Sequence, residues 1–173
     1  MLPHLTFVIG GAASGKSAFA EKLVLENDAA RIYLATSQAF DEEMRGKIDA
    51  HIAMRGPDWH TVESPLEAAR ALGDVPEDHV VLFDCATMWL SNHLFAEHDI
   101  EQETERLLEA LSSCKGRVVV VSNEVGMGIV PENKLARQFR DLQGKLNQRL
   151  AARADLAVFV VAGLPLVLKG TLP

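Results

Sequence analysis

The 173 residues fit one domain of ordinary size, and a hydrophobic content of 48% is enough to form a substantial core. Seventeen Lys and Arg against 24 Asp and Glu give a formal net charge of −7, which argues against sequence-independent binding to nucleic acid. We therefore expect the protein to act on small molecules. The two cysteines, Cys85 and Cys114, have no metal-type spacing and indicate no disulfide framework, so we expect a cytoplasmic protein.

Short runs of Val, Ile and Leu alternate with longer amphipathic stretches, which predicts an α/β fold with a mostly parallel sheet and helices on both faces. The predicted strands are Leu5–Ile9, Arg31–Ala35, Val80–Phe83, Val118–Ser122 and Leu156–Val161. The predicted helices are Lys16–Glu26, Asp41–Met54, Pro65–Leu72, Thr87–Ala96, Glu101–Ser113 and Glu132–Ala152.

Two apolar features near the end of the sequence need an interpretation. The last helix carries a stripe that predicts core packing or, alternatively, a subunit interface; it consists of Leu135, Phe139, Leu142, Leu146 and Leu150. The longest apolar stretch, residues 156–168, is interrupted by Gly163 and Pro165 and is too short to cross a bilayer. We therefore predict no membrane span.

The most specific motif is a glycine-rich loop between the first strand and the first helix. It consists of Gly10, Gly11, Ala12, Ala13, Ser14, Gly15, Lys16 and Ser17, and it satisfies the P-loop pattern G-x-x-x-x-G-K-[ST]. In such a loop, backbone N–H groups and the helix N-terminus hold the phosphates. Lys16 then reaches the outer phosphates, and Ser17 binds Mg²⁺. The motif predicts a P-loop NTPase-like domain over residues 1–173 that binds GTP or ATP.

A second metal ligand is predicted at the end of an apolar strand. Asp84 directly follows Val80–Phe83, as expected of a carboxylate that holds Mg²⁺ directly or through water. A buried strand can end in Asp for other reasons, and the P-loop is what makes the interpretation specific.

A cationic helix face supplies a candidate nucleophile. Lys47, His51 and Arg55 lie four residues apart, so a helix would place them on one face. Neighbouring cations disfavour protonated histidine, and neutral imidazole is the form that attacks phosphorus. A solvated helix surface is the alternative, and five other histidines compete for the role: His4, His60, His79, His93 and His98.

Several segments together resemble one enzyme family. They are Gly10–Ser17, Tyr33–Ser37, Asp41–Met44 followed by His51, Asp84-Cys85-x-Thr87, Ser122–Asn133, Ala136–Asp141, Leu146–Leu150 and Ala162–Pro165. In this order they resemble the bifunctional adenosylcobinamide kinase and adenosylcobinamide-phosphate guanylyltransferase of cobalamin biosynthesis, over nearly the whole chain. Ala13 departs from the family, which commonly carries Arg there, and this puts a contact to phosphate in doubt.

The resemblance implies two reactions. A nucleoside triphosphate first phosphorylates the aminopropanol hydroxyl of adenosylcobinamide. GTP then guanylylates an enzyme histidine, which corresponds to His51, and GMP passes to adenosylcobinamide phosphate to give adenosylcobinamide-GDP. The resemblance also implies a homo-oligomer, specifically a homotrimer.

The resemblance further implies nucleotide contacts outside the P-loop. These contacts fall on Ala35, Thr36, Ser37, Ile52, Ala53, Met54, Arg55, Glu63 and Asp84. Glu63 is a candidate for reading guanine N1–H and N2–H₂, with an ordinary surface glutamate as the alternative. Glu124 stands beyond the end of a strand, where ligands bind in open α/β sheets, and is a candidate second carboxylate. The alternative is that its segment is a structural turn that starts the following helix.

Two other functions fit the P-loop. One is a kinase of another small molecule in which His51 has no covalent role. The other is a GTP-binding switch, which normally carries an N-K-x-D element. Asn133 and Lys134 begin such an element, but Ala136 stands where its carboxylate belongs.

Overall fold

The computed structural model describes residues 1–38 and 58–173, and the predicted helix Asp41–Met54 lies outside them. The strands are β1 (Leu5–Gly10), β2 (Ala30–Ala35), β3 (Trp59–Glu63), β4 (His79–Asp84), β5 (Arg117–Asn123), β6 (Leu156–Val161) and β7 (Leu164–Lys169). The helices in the described part of the chain are α1 (Lys16–Leu25), α2 (Ala68–Gly73), α3 (Ala86–Phe95), α4 (Ile100–Ser113) and α5 (Lys134–Arg153).

All seven strands form one sheet in the order β3-β2-β4-β5-β1-β6-β7. The five pairings that join β3, β2, β4, β5, β1 and β6 in this spatial order are parallel, and β7 pairs antiparallel with β6 at the edge. The predicted mostly parallel α/β sheet is therefore confirmed. Because the first six strands are parallel, β1, β2, β3, β4 and β5 end at the same edge, which we call the carboxyl edge.

Two strands were missed by the sequence prediction, for different reasons. β3 (WHTVE) contains two apolar residues and no apolar run, and it is a strand because it pairs with β2. β7 (LPLVLK) is mostly apolar although all six of its residues are exposed, and in the sequence it overlaps the apolar stretch of residues 156–168. Ala162 and Gly163, both at positive φ, form a two-residue hairpin turn between β6 and β7. The proline in β7 is compatible with an edge strand.

Helices cover both faces of the sheet, as predicted. Alternate residues of β1 point to opposite faces: Phe7 belongs to one core cluster and Val8 to the other. One core lies against α2 to α5 and includes Leu34, Leu72, Phe83, Trp89, Leu107, Leu111, Val120, Leu146 and Leu150. The other lies against α1 and includes Ala20, Leu23, Val24, Tyr33, Leu82, Val119 and Val158.

The predicted apolar stripe on α5 is only partly core. Leu146 and Leu150 are buried and Phe139 is half-buried, whereas Leu135 at the first turn is 47% exposed. The helix also begins two residues later than predicted, since Asn133 is the N-cap and accepts hydrogen bonds from the backbone N–H groups of Leu135 and Ala136.

Within residues 1–38 and 58–173, no helix is both long enough and apolar enough to cross a membrane.

Candidate active site

The P-loop lies between β1 and α1, as predicted, and its backbone is tightly packed. Gly15 is the N-cap of α1 at φ 91°, a conformation that favours glycine. A Cβ at Gly10 would stand 2.5 Å from Ser14 Oγ and 2.6 Å from the Val160 carbonyl oxygen. Lys16 Nζ donates to the Gly11 carbonyl at 3.2 Å, so the ammonium lies over the loop.

This packing predicts different stability costs for substitution of two neighbouring glycines. Gly10→Ala should lower the free energy of unfolding by about 1–3 kcal/mol, because the carbonyl that meets the new methyl group belongs to a central strand. Gly11→Ala is the matched control: no heavy atom lies within 4 Å of its added Cβ. We expect that change to cost under about 0.5 kcal/mol. Urea denaturation without nucleotide measures both values, and equal costs would contradict the packing argument.

The turn between β6 and β7 contacts the P-loop directly. The backbone N–H of Gly163 donates to the Ser14 carbonyl at 2.8 Å. A Cβ at Gly15 would approach Gly163 Cα to 3.0 Å, so Gly15 packs closely against the turn. The hairpin that the sequence prediction missed therefore supports the backbone of the phosphate-binding loop. Ala13, at φ 53°, is exposed, and its effect on phosphate binding stays a prediction.

Asp84 ends β4 at the carboxyl edge, the edge from which the P-loop leaves β1. Its Oδ2 accepts a 2.7 Å hydrogen bond from the hydroxyl of Tyr33 on the adjacent strand β2. The pKa of the next residue, Cys85, depends on charges at the site. Burial, and then the Asp84 carboxylate, raise its thiol pKa to about 11, while the Lys16 charge acts in the opposite direction.

Thr36, a predicted nucleotide contact, is fully buried, and its polar groups are engaged within the protein. Its hydroxyl donates to the Cys85 carbonyl and accepts from the Cys85 N–H, both at 2.8 Å. Its backbone N–H donates to the Asp84 carbonyl, and its own carbonyl accepts from Asn92 Nδ2. The side chain therefore supports the Asp84–Cys85 backbone. A nucleotide contact from Thr36 itself stays a prediction.

The remaining predicted residues divide by location. Ser17 is exposed in the first turn of α1, Ala35 is buried at the end of β2, and Ser37 is half-buried just beyond it. Glu63 is exposed at the end of β3 and pairs in register with Ala35, so it also lies at the carboxyl edge. The predicted sites Lys47, His51, Ile52, Ala53, Met54 and Arg55 lie outside the described residues.

A buried polar network behind β5 was not predicted. Ser122 Oγ donates to Asn147 Oδ1 at 2.7 Å, and Gln143 Nε2 bonds both of them. Asn147 and Thr87 in turn bond the backbone of Asn123. Gln143 and Asn147 lie on the same face of α5 as the buried leucines, and polar residues on that face were the signal that could have revealed the network.

The network fixes the end of the strand that lies between the P-loop strand and the Asp84 strand. The backbone N–H of Glu124 donates to the Gly10 carbonyl at 3.0 Å, which links β5 to the start of the P-loop. The Glu124 carboxylate accepts from the Gly126 N–H. Glu124 is thus at the carboxyl edge, and its role as a second carboxylate stays a prediction.

The thiol of Cys85 can report on this edge. Both cysteines are buried free thiols with raised pKa values. We expect them in the folded protein at pH 8 to react with a disulfide reagent at least about 100-fold more slowly than in urea, because few thiolates form and access is blocked. Stopped-flow absorbance gives both rates. Immediate reaction of Cys85 in the folded protein would contradict the burial of this strand end.

The sequence matches a family model, described as cobinamide kinase / cobinamide phosphate guanyltransferase, over residues 6–168. The chain belongs to this family. Within it, the chain is 44% identical over 166 residues to the bifunctional adenosylcobalamin biosynthesis protein CobP of Pseudomonas aeruginosa, covering 94% of this chain and 96% of that one. It is 41% identical to the corresponding CobU protein of Salmonella typhimurium, covering 95% and 99%. Membership of the cobinamide kinase / cobinamide phosphate guanyltransferase family confirms the predicted family and enzyme class.

Solved structures confirm the fold alone. The chain matches the RadB recombinase with a TM-score of 0.51 at 17% identity, over 91% of this chain and 74% of that one. It matches an ATPase of the type III secretion system of pathogenic bacteria with a TM-score of 0.54 at 10% identity, over 95% and 56%. These likenesses support the α/β P-loop fold.

Proposed function

We propose that residues 1–173 form one catalytic domain that phosphorylates adenosylcobinamide with ATP or GTP and then transfers GMP from GTP to adenosylcobinamide phosphate through His51. The observation that carries the proposal is the placement of a P-loop and Asp84 at one edge of the sheet, in a chain of this family. The product of the second step is adenosylcobinamide-GDP.

In the first step, the P-loop holds the donor triphosphate and the substrate hydroxyl attacks its γ-phosphorus. Backbone N–H groups from Gly11 to Lys16 and the N-terminus of α1 bind the phosphates. The Lys16 ammonium, which lies over this loop, compensates the charge that develops on the outer phosphates. The hydroxyl proton requires an acceptor, for which Glu124 at the carboxyl edge is a candidate.

The residues at this edge fit Mg²⁺. Ser17 and Asp84 offer hydroxyl and carboxylate oxygens, the donors that Mg²⁺ prefers. Among residues 1–38 and 58–173, no group of three or more His, Cys, Asp and Glu side chains could hold a metal ion. This suits a Mg²⁺ held by one or two side chains, with phosphates and water completing its coordination. When bound, the ion would neutralise phosphate charge.

In the second step, a neutral His51 nitrogen attacks the α-phosphorus of GTP, a phosphoramidate bond forms, and pyrophosphate leaves. The phosphate oxygen of adenosylcobinamide phosphate then attacks the same phosphorus and releases His51. The cations Lys47 and Arg55, at helical spacing from His51, favour its neutral form. Arg55 and the segment Ile52–Met54 are proposed to contact the nucleotide, and Glu63 is proposed to read guanine.

The positions of the competing histidines support His51. His4 precedes β1, and its Nε2 lies 2.7 Å from the Cys114 carbonyl oxygen. His79 is the first residue of β4, so both lie at the edge opposite the P-loop. His60 lines a groove together with His79, on the same side of the molecule.

The last two histidines bond each other. His93 is only 1% exposed, and its Nδ1 lies 2.9 Å from Nδ1 of His98. Its Nε2 lies 3.1 Å from the Leu66 carbonyl oxygen, so both ring nitrogens are engaged. Burial lowers the pKa of His93 and so favours the neutral ring. The same burial makes the ring inaccessible to a triphosphate.

The experiment that tests the proposal is labelling with GTP. Enzyme incubated with Mg²⁺ and GTP carrying ³²P at the α-phosphorus should acquire a label that survives denaturation and is lost in acid. GTP labelled at the γ-phosphorus should leave the protein unlabelled. Mass spectrometry should place a GMP adduct on His51. Phosphorylation of adenosylcobinamide without any adduct would favour a simple kinase, and tight GTP binding without corrinoid turnover would favour a switch module.

We also propose that the enzyme is a cytoplasmic homotrimer. The two free thiols suit a reducing compartment. The edge strand β7 exposes a row of apolar side chains, formed by Leu164, Leu166, Val167 and Leu168. Exposed apolar edge strands are typical interaction surfaces. Sedimentation equilibrium should give three times the chain mass, and a monomer at micromolar concentration would contradict the trimer.

A further inference from the structure

Tyr33, the single tyrosine of the chain, holds one oxygen of the Asp84 carboxylate. In register, Tyr33 pairs with Leu82, and Asp84 lies two residues further along the same strand, so all three side chains share one face of the sheet. The Tyr33 hydroxyl donates to Asp84 Oδ2 at 2.7 Å. A hydrogen bond to an ionised carboxylate is about twice as strong as one between neutral groups.

The phenol ring is itself fixed in place. Tyr33 is 8% exposed, and its ring meets that of Trp59 edge to face, with centroids 6.3 Å apart and an interplanar angle of 81°. Trp59 belongs to β3, on the other side of β2. The hydroxyl therefore reaches Asp84 from a ring with little freedom to move.

The backbone of Asp84 is held from the same segment. Thr36, three residues after Tyr33, bonds the Asp84 carbonyl and both backbone groups of Cys85. Asp84 itself is only half-buried, so water could have satisfied its carboxylate. Tyr33 of β2 thus fixes the side chain of Asp84, and Thr36 fixes its main chain. Hydrogen bonding of the carboxylate alone would not require both contacts.

We propose that Tyr33 is a positioning residue for the metal: it holds Oδ2 of Asp84 and thereby presents Oδ1 to the Mg²⁺ of the nucleotide on the P-loop. The inference rests on the proposed function, which assigns Asp84 to Mg²⁺. Groups that orient a metal ligand typically change metal affinity about 10–100-fold when removed. Tyr33→Phe removes only the hydroxyl and keeps the ring against Trp59.

The test measures metal dependence of binding without catalysis. α,β-Methylene-GTP, which cannot transfer GMP, is titrated calorimetrically at a series of Mg²⁺ concentrations and in EDTA. We expect Tyr33→Phe to raise the Mg²⁺ concentration for half-maximal effect at least about tenfold, with unchanged affinity in EDTA. Asp84→Asn should shift it further. Trp59→Phe, which keeps the Tyr33 hydroxyl and an aromatic ring beside it, should lower stability and shift the metal midpoint less than Tyr33→Phe does.

A spectroscopic signal gives a second readout. Since Tyr33 is the single tyrosine, the tyrosine doublet in the Raman spectrum comes from this residue, and Asp84→Asn should change it. A wild-type Mg²⁺ midpoint in Tyr33→Phe, or an equal loss of affinity in EDTA, would overturn the positioning role. An unshifted midpoint in Asp84→Asn would overturn it through the metal assignment. None of these measurements uses corrinoid or His51, so failure of the GMP-adduct experiment is distinguishable.

Discussion

His51→Ala should abolish guanylyl transfer and leave phosphorylation of adenosylcobinamide largely intact. Without the imidazole no phosphoramidate forms, and removal of a covalent nucleophile costs at least about a thousandfold in rate. The P-loop, Lys16 and Asp84 are unchanged, so the first step keeps its machinery. Chromatography of the corrinoid products separates the steps: adenosylcobinamide phosphate should accumulate and adenosylcobinamide-GDP should be absent.

His60→Ala is the matched control, because His60 is exposed on β3 and lines a groove on the side opposite the P-loop. It should produce both corrinoids at wild-type rates. Equal loss of both steps in His51→Ala would show that the residue serves the fold or nucleotide binding in general. A GMP adduct that persists in His51→Ala would move the nucleophile to another residue.

Lys16→Ala should lower the rate of phosphorylation at least about 100-fold, since it removes the cation that we propose compensates charge on the outer phosphates. Lys16 follows the N-cap Gly15, and its ammonium lies over the loop at Gly11. Lys16 is half-buried and belongs to neither apolar core, so the unfolding midpoint without nucleotide should change little. Initial rates with labelled ATP and with GTP measure the effect.

Lys22→Ala serves as the control on the same helix. Its side chain is 71% exposed and forms a 3.6 Å ion pair with Glu26, of the kind that contributes little to stability. Wild-type phosphorylation by Lys22→Ala and loss by Lys16→Ala would assign the effect to the P-loop. A Lys16→Ala enzyme with more than about a tenth of wild-type activity would contradict the role given to Lys16.

The phosphate-binding part of the site was predictable because its chemistry is local in sequence. Eight consecutive residues supply the glycines, the lysine and the hydroxyl, and the strand and helix on either side follow from their apolar patterns. Asp84 could be predicted for a similar reason, since an apolar strand leads directly to it. These predictions needed no knowledge of which strands are neighbours.

The supports of the site depend on strand order and could not be predicted. Tyr33 and Asp84 are 51 residues apart, and they meet because β2 pairs with β4. The sequence around a buried tyrosine does not show whether its hydroxyl bonds a carboxylate or water. Thr36 shows the same limit: the family resemblance implies a nucleotide contact there, and only the fold shows that its hydroxyl bonds the backbone of Cys85.

β3 and β7 show why strand prediction failed at the two edges. An edge strand is covered less completely than a central one, so its sequence need not be continuously apolar. β3 is such a case, with two exposed and two half-buried residues among five. β7 fails in the opposite way, because its leucines are exposed and its apolar character does not mark a core position.

The contact between Gly163 and Ser14 bears on how the enzyme is made. The ribosome delivers the phosphate-binding segment before the turn that supports it, and β2 to β6 are translated between the two. A nascent chain, or one cut before the last hairpin, would have to hold Ser14 and Gly15 without that support. Nucleotide capture should therefore be acquired only after β6 has paired with β1 and β7 has paired with β6.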